Sequence, residues 1–446
     1  MLDIKFIREN PDLVKENIKK RFQTKLLGEL DELLNADKEY RKLLKDVEDL
    51  RHSRNIISKE INKLKKKGED IKAMVKRARD IPDRIKKAEE KLEKAKAKIK
   101  NILPKIPNMI ATDVPLGKDE SENKVIKKWG KIRKFTFPIR NHVELMEMNG
   151  WADFDASAKT SGSGFYFLKG ELALLNQALI RFAIDFMVKR GYKYIEPPLM
   201  LKKNVLAAAL DVEEFKKTIY DIKGEDLSLI GTSEYSLLGM LTGRAIPEQE
   251  LPLKLVAYSM CFRKEIGSHG INEKGLWRTH QFNKVEHFVF CAPEESHKFY
   301  LEMRKNAEDI YQALEIPYRL LEICSGDLST WKHKSEDIEA YRPTIKDYGE
   351  VGSLTNCTTY QAQDLGIKII KKNGTREVLH TLNNTALATS RAMVAILENN
   401  QNDDGSVTIP KVLVPYMNGV KKIGGKNKKP KSKIQKRDKK IESRKK

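Results

Sequence analysis

The chain has 446 residues, 33% of them charged, with a formal net charge of +22. That length allows two or three domains, and the positive balance points to a polyanionic partner, most simply nucleic acid. No run of about 18 apolar residues occurs, and the start, MLDIKFIREN, lacks the apolar core of a signal peptide. A membrane span and a secretory leader are therefore not expected, and a soluble, cytoplasmic protein is. Much of the charge is local: Lys421 to Lys446 hold 14 Lys and Arg against Asp438 and Glu442, so +12 sits in the tail. Rich in Lys with almost no large apolar residues, this tail is expected to be disordered in isolation. Cys261, Cys291, Cys324 and Cys357 are about 30 residues apart and form no Cys-x-x-Cys, which argues against a disulfide framework or a Cys-rich zinc knuckle and for buried, reduced thiols.

Residues 1–25 read as a short helix started by Asn10-Pro11, with Leu13, Val14 and Ile18 as its stripe. Next, Leu43, Val47, Leu50, Arg54, Ile57, Ile61 and Leu64 alternate spacings of four and three, with one polar interruption. After Gly68 a second series runs Ile71, Met74, Ala78, Ile81, Ile85, Ala88, Leu92, Ala95, Ile99, Ile102. Two heptad seams around a glycine turn predict an antiparallel helical hairpin, each arm ~35–40 residues and so roughly 50–60 Å long. Pro82 should notch its second helix. Lys63, Lys65, Lys66, Lys67, Lys76 and Arg77 crowd the tip. They are either a solvated face or a surface that lies along RNA phosphates.

Leu103 to Gly117, LPKIPNMIATDVPLG, is a Pro-rich exit from the coil and a natural domain boundary. Beyond it the chain mixes helix and strand. Leu172–Arg190 predicts an amphipathic helix ending at Gly191, then a strand, Tyr192–Glu196, stopped by Pro197-Pro198. Tyr258 to Glu286 has the grammar of a long antiparallel hairpin: an alternating run with Arg263 and Glu265, a polar loop with Gly267, Gly270 and Gly275, and a return from Arg278 to Glu286. A guanidinium fork, two carboxylates and Phe282 suit a site for a nucleotide and an amino acid together. By itself Arg-x-Glu fits a salt-bridged hairpin on a solvated sheet better. Neither a Walker A sequence nor G-x-G-x-x-G occurs, so phosphates would be held by side chains and metal.

CFRKE, a loop with Gly-Leu-x-Arg, then HQFNKVE resembles motif 2 of class II aminoacyl-tRNA synthetases in the form used by seryl-tRNA synthetases. The helix before Gly191 resembles motif 1, and HTLNNTALATSRAMVAILEN from His380 resembles motif 3, a strand running into a helix. With the linker and the closing DDGSVTIPKVLVPYMNG, the resemblance covers about residues 1–420.

It implies an α+β fold: an antiparallel class II sheet flanked by helices, preceded by the coiled-coil arm. The expected domains are 1–108 (coiled coil about 27–103), 109–420, and the tail 421–446. The implied reaction is ATP- and Mg²⁺-dependent attachment of serine to tRNA(Ser), with a selenocysteine tRNA as a second candidate acceptor, by a homodimer. Arg263, Glu350 and Arg391 would be the catalytic residues. Arg263 would hold the α-phosphate, Glu265 orient adenine, Phe282 stack on it, and Arg391 clamp the γ-phosphate. Lys264, Thr279, Val351 and Gly352 would complete the ATP contacts, while Glu350 and Ser353 held Mg²⁺. Serine would lie among Thr232, Ser233, Glu234, Arg263, Glu286, Asn383 and Thr385.

Thr232 and Glu234, two apart on a strand, would share a face; a helix N-cap is the plainer reading of that tripeptide. Glu350 to Ser353 read alone fits a plain Gly-Ser turn after a strand equally. Thr385 stands where bacterial members have Ser, as in archaeal and eukaryotic members; Gly352 replaces the first Ser of a pair, Gln363 stands for Arg, and Tyr341 for Trp. The rival readings are an inactive RNA-binding homologue and a ligase for another acceptor; the retained charged set opposes the first, the basic arm the second.

Overall fold

Heptad spacing sets the shape of the N-terminal part. In the computed structural model, which describes residues 1–210, 217–266 and 274–425, two short helices, α1 (Ile4–Glu9) and α2 (Pro11–Lys20), meet at Asn10. The 42-residue α3 (Leu26–Lys67) follows, about 60 Å long. It stops at Gly68, whose φ of 73° is the left-handed region a side chain would resist. The return arm is broken at Asp80 into α4 (Lys72–Arg79) and α5 (Ile81–Ile102), and Pro82 lies in the first turn of α5, where its missing N–H costs nothing. The expected notch is thus a full interruption. The seam is buried at Leu30, Leu33, Ala36 and Val47 and at Ile81, Ile85, Ala95 and Ile102. Towards the tip, Leu50, Ile57, Ile61 and Leu64 are half-buried and Arg54 is exposed, because a two-helix seam has only one partner to hide behind. Gly267 and Gly270, and the tail beyond residue 425, lie outside the described residues.

The remainder is built on one sheet of eight strands: β1 (Lys124–Trp129), β2 (Lys193–Ile195), β3 (Leu253–Phe262), β4 (Gln281–Cys291), β5 (Tyr318–Glu322), β6 (Lys334–Arg342), β7 (Asp347–Thr358) and β8 (His380–Ala388). Their order is β1-β5-β6-β7-β8-β4-β3-β2, antiparallel throughout except for the parallel β2–β3 pair. The predicted hairpin is β3–β4, from Leu253 opposite Phe290 to Phe262 opposite Gln281. Its second strand starts at Gln281, so Arg278 and Thr279 belong to the loop rather than the ladder. Glu265 also lies past the ladder, with φ of 52°.

Strand alternation divides the core in two. Val256, Val285, Val289, Val351, Leu354 and Leu382 pack under α6 (Gly170–Lys189), Tyr300, Met303 and Tyr311 of a helix at Ser296–Ala313, and the last helix, Thr389–Asn400. Leu255, Ala257, Phe288 and Phe290 face the other way. They share a core with Ile7, Val14, Ile18, Leu30, Leu33, Ile102 and Ile106, so the base of the arm and the sheet fold around the same apolar cluster. Among the described residues, no helix is long and apolar enough to cross a membrane.

Candidate active site

On β4 the face that carries Phe288 and Phe290 continues, two residues at a time, into Glu286, Lys284 and Phe282. There the apolar core stops and a cleft of about 340 Å³ begins. The register sets the neighbours: Glu286 lies opposite Thr385 on β8, Thr355 of β7 opposite Asn383, and Asp337 of β6 opposite Ser353. Polar side chains from four adjacent strands therefore converge on one face.

The deep end holds two carboxylates. Glu286 is fully buried; Lys284 Nζ lies 2.6 Å from it, and Asn383 Nδ2 (3.2 Å) and Thr385 Oγ1 (3.3 Å) donate to it. Asn383 Nδ2 also donates to Glu234 at 3.0 Å, and Gln361 Nε2 does so at 2.9 Å. Burial first, and the charge of Glu286 second, push the Glu234 carboxyl up to about 7. Asn383 Oδ1 is buried without a partner, an acceptor waiting for a donor. Thr232 and Glu234 are not on a strand. Thr232 is the N-cap of a helix, Ser233–Gly239, and its hydroxyl accepts from the Glu234 N–H at 3.3 Å. The plainer reading of that tripeptide holds, and the helix start still turns Glu234 onto the cleft wall.

Towards the mouth, the Arg263 guanidinium lies 5.4 Å from the Phe282 ring centre and its Nε donates to Gly231 O at 3.2 Å. Glu265 is ion-paired with Arg278 at 2.6 Å. Arg391, in the first turn of the last helix, meets the Glu350 carboxylate at 3.1 Å and the Trp277 ring at 5.4 Å. Partial desolvation raises the Glu350 carboxyl, whose side chain is still 46% exposed, but Arg391, with Arg263 and Lys332, outweighs it and holds the group below its ordinary range. Asp337 is pushed up to about 7 by burial first and by Glu350 second, and its Oδ1 is buried without a partner. Glu350 to Ser353 lies mid-strand on β7, not in a turn.

The cleft thus gathers Thr232, Glu234, Arg263, Glu265, Thr279, Phe282, Glu286, Glu350, Val351, Gly352, Ser353, Asn383, Thr385 and Arg391. Ser233 and Lys264 are not on its wall: Ser233 is buried beneath the helix start, and Lys264 reaches over Tyr220 at 5.9 Å. Sequence reasoning missed Lys284, Asp337, Lys332, Trp277 and Arg278. Period-two alternation from Glu286 marks Lys284; nothing local marks Asp337 or Lys332.

A model of the seryl-tRNA synthetase N-terminal domain matches residues 1–110, and one of the class II tRNA synthetase core domain (G, H, P, S and T) matches residues 215–400. The serine–tRNA ligase of Methanospirillum hungatei is 48% identical over 420 residues, 94% of this chain and 99% of that one. That of Pyrococcus horikoshii is 43% identical over 444 residues, 95% and 97% of the two chains. The chain belongs to the seryl-tRNA synthetase family. Two solved members agree: the Pyrococcus horikoshii seryl-tRNA synthetase complexed with ATP (TM-score 0.90, 43% identity, covering 96% of this chain and 100% of that one) and the cytoplasmic Naegleria fowleri serine–tRNA ligase in complex with AMP (0.85, 31%, 96% and 99%). A Cβ on Gly352 would lie 3.1 Å from Ile338 Cγ2 and 3.3 Å from the Thr385 Cβ, so a side chain there would require those neighbours to give. Gln363 and Tyr341 are not on the cleft wall.

Proposed function

We propose that this chain attaches L-serine to tRNA(Ser) through a seryl-adenylate formed from ATP. The observation that carries it is the graded charge of one cleft: buried carboxylates at the deep end, then guanidiniums and an aromatic ring at the mouth. Glu234 and Glu286 take the substrate ammonium. Asn383 Oδ1 and Thr385 take the substrate hydroxyl, and alanine would leave Asn383 Oδ1 unpaired. Arg263 holds the α-phosphate, Phe282 and Glu265 take the adenine, and Arg391 swings from Glu350 to the γ-phosphate.

Asp337, Glu350 and Ser353 fit a Mg²⁺ ion that keeps most of its waters: two carboxylates, one of them with an unpartnered buried oxygen, and a hydroxyl. Bound there, it would neutralise phosphate charge. A carboxylate oxygen of serine bonds to the α-phosphorus as the bond to the bridging oxygen breaks and pyrophosphate leaves. The nucleophile is already an anion, so positioning and charge neutralisation suffice. The seryl group then passes to a terminal ribose hydroxyl of the tRNA.

The arm, residues 26–102, is read as the tRNA grip, with residues 1–108 as its domain and 109–420 as the catalytic one. A selenocysteine tRNA is a second candidate acceptor. A homodimer through α6 and a cytoplasmic location complete the reading; a light-scattering mass of one chain would contradict the dimer. Arg391→Ala is expected to abolish serine-dependent ATP–pyrophosphate exchange, at least about 100-fold, and to leave tRNA affinity nearly unchanged. Loss of both together would contradict this separation of roles.

A further inference from the structure

The loop between β5 and β6 holds none of the motif residues, yet Asp327, Ser329, Trp331 and Lys332 form one wall of the cleft. Lys332 is the cation among them. Its ammonium donates to Ser335 Oγ at 3.3 Å, and that oxygen lies 3.5 Å from Ser353 Oγ and 3.3 Å from Thr355 Oγ1. One hydroxyl therefore separates Lys332 from Ser353. Among the described residues, no ion pair at 4.0 Å or less involves Lys332. Its charge nevertheless reaches both ends of the cleft, drawing down the carboxyls of Glu234 on one side and of Asp337 and Glu350 on the other.

This wall is held from outside the catalytic sheet. Arg21 of α2 is 1% exposed, and its guanidinium donates to the carbonyls of Leu328 (3.1 Å), Ser329 (3.2 Å) and Lys332 itself. Asn108, in the linker, donates to Trp331 O at 2.9 Å and to Cys357 O at 2.9 Å. A guanidinium is costly to bury unless its donors are used. Here both terminal nitrogens are spent on the backbone of one loop, while Nε is buried without a partner, and the loop so held fixes where the Lys332 side chain departs.

We propose that Lys332 is a further catalytic cation of adenylate formation, placed where the serine carboxylate meets the α-phosphate, and that Arg21 is the positioning residue that holds it there. The inference rests on the adenylate-forming reading of the cleft. Two anions approach in that step and no proton moves. The new bond joins the carboxylate oxygen to phosphorus, and the electron pair leaves with pyrophosphate. A fixed ammonium at that junction lowers the barrier without having to titrate.

The test is serine-dependent ATP–pyrophosphate exchange by the full chain. Lys332→Met and Lys332→Gln, the second of which can still donate to Ser335, are each expected to lower kcat about 30- to 300-fold, with Lys332→Arg recovering at least a tenth of the wild-type value. Arg21→Lys is expected to lower kcat about tenfold in the wild-type background and to add nothing to Lys332→Met. A merely structural role for Arg21 would multiply the two losses. Exchange within threefold of wild type for Lys332→Gln, or multiplied losses in the double variant, overturns the proposal while leaving the reaction standing. Absence of exchange in the wild-type chain overturns the reaction and the proposal with it.

Discussion

Glu234 and Asp337 are both raised to about 7 in the cleft, and Glu234 is the one at its deep end. Burial and the neighbouring Glu286 raise its carboxyl to about 7, against the pull of the Gln361 amide and Lys284. A carboxyl that is protonated below that value has no charge to offer an ammonium, so substrate binding requires the ionised form. Serine KM should therefore rise about tenfold between pH 8 and pH 6 as Glu234 takes up its proton. Glu234→Gln should raise KM at pH 8 and flatten most of that dependence, and an unaltered pH profile in the variant would refute the assignment. Glu286 shares the pocket but is paired with Lys284 at 2.6 Å, so the two acids play unequal parts.

At the scale of elements, what the sequence made legible follows from periodicity. The β3–β4 ladder, the two heptad seams and the strand-to-helix passage at Ala388 can all be read from spacing and turn chemistry. Arg263, Glu286 and Arg391 could be placed because each stands inside a contiguous motif. Asp337 and Lys332 could not, because β6 and the loop before it join the cleft through sheet register, which no local pattern records. Glu234 lines the cleft from a helix start rather than from a strand face, and a hydroxyl two residues before a carboxylate fits both elements. The arm was legible as a coiled coil, but its half-buried tip was not, because heptads report the seam and not the number of partners. At that tip Lys65, Lys66 and Lys67 are all exposed on the last turn of α3. Changing the three to Ala should weaken tRNA binding about tenfold or more and shallow its salt dependence by about two to three phosphate contacts. Serine-dependent exchange should be untouched, and an unchanged salt slope would mean that the lysines are only solvated.

At the scale of the whole molecule, the arm and the catalytic sheet are not independent bodies joined by a linker. Leu30, Leu33 and Ile102 pack into the same core as Phe288 and Phe290, the continuation of the strand face that carries Glu286. Arg21 and Asn108 then tie the N-terminal helices to the Lys332 wall. The net charge of +22 fits a polyanionic partner, while the cleft keeps its own graded arrangement of acids and bases.

Activation of serine with ATP by this cleft is measured by amino-acid-dependent ATP–pyrophosphate exchange, in Mg²⁺, with serine, threonine, alanine and glycine side by side. Exchange with serine at least about 100-fold above alanine and glycine is the predicted result. Preferential exchange with one of the other three, or none with any of them in the folded protein, would contradict it.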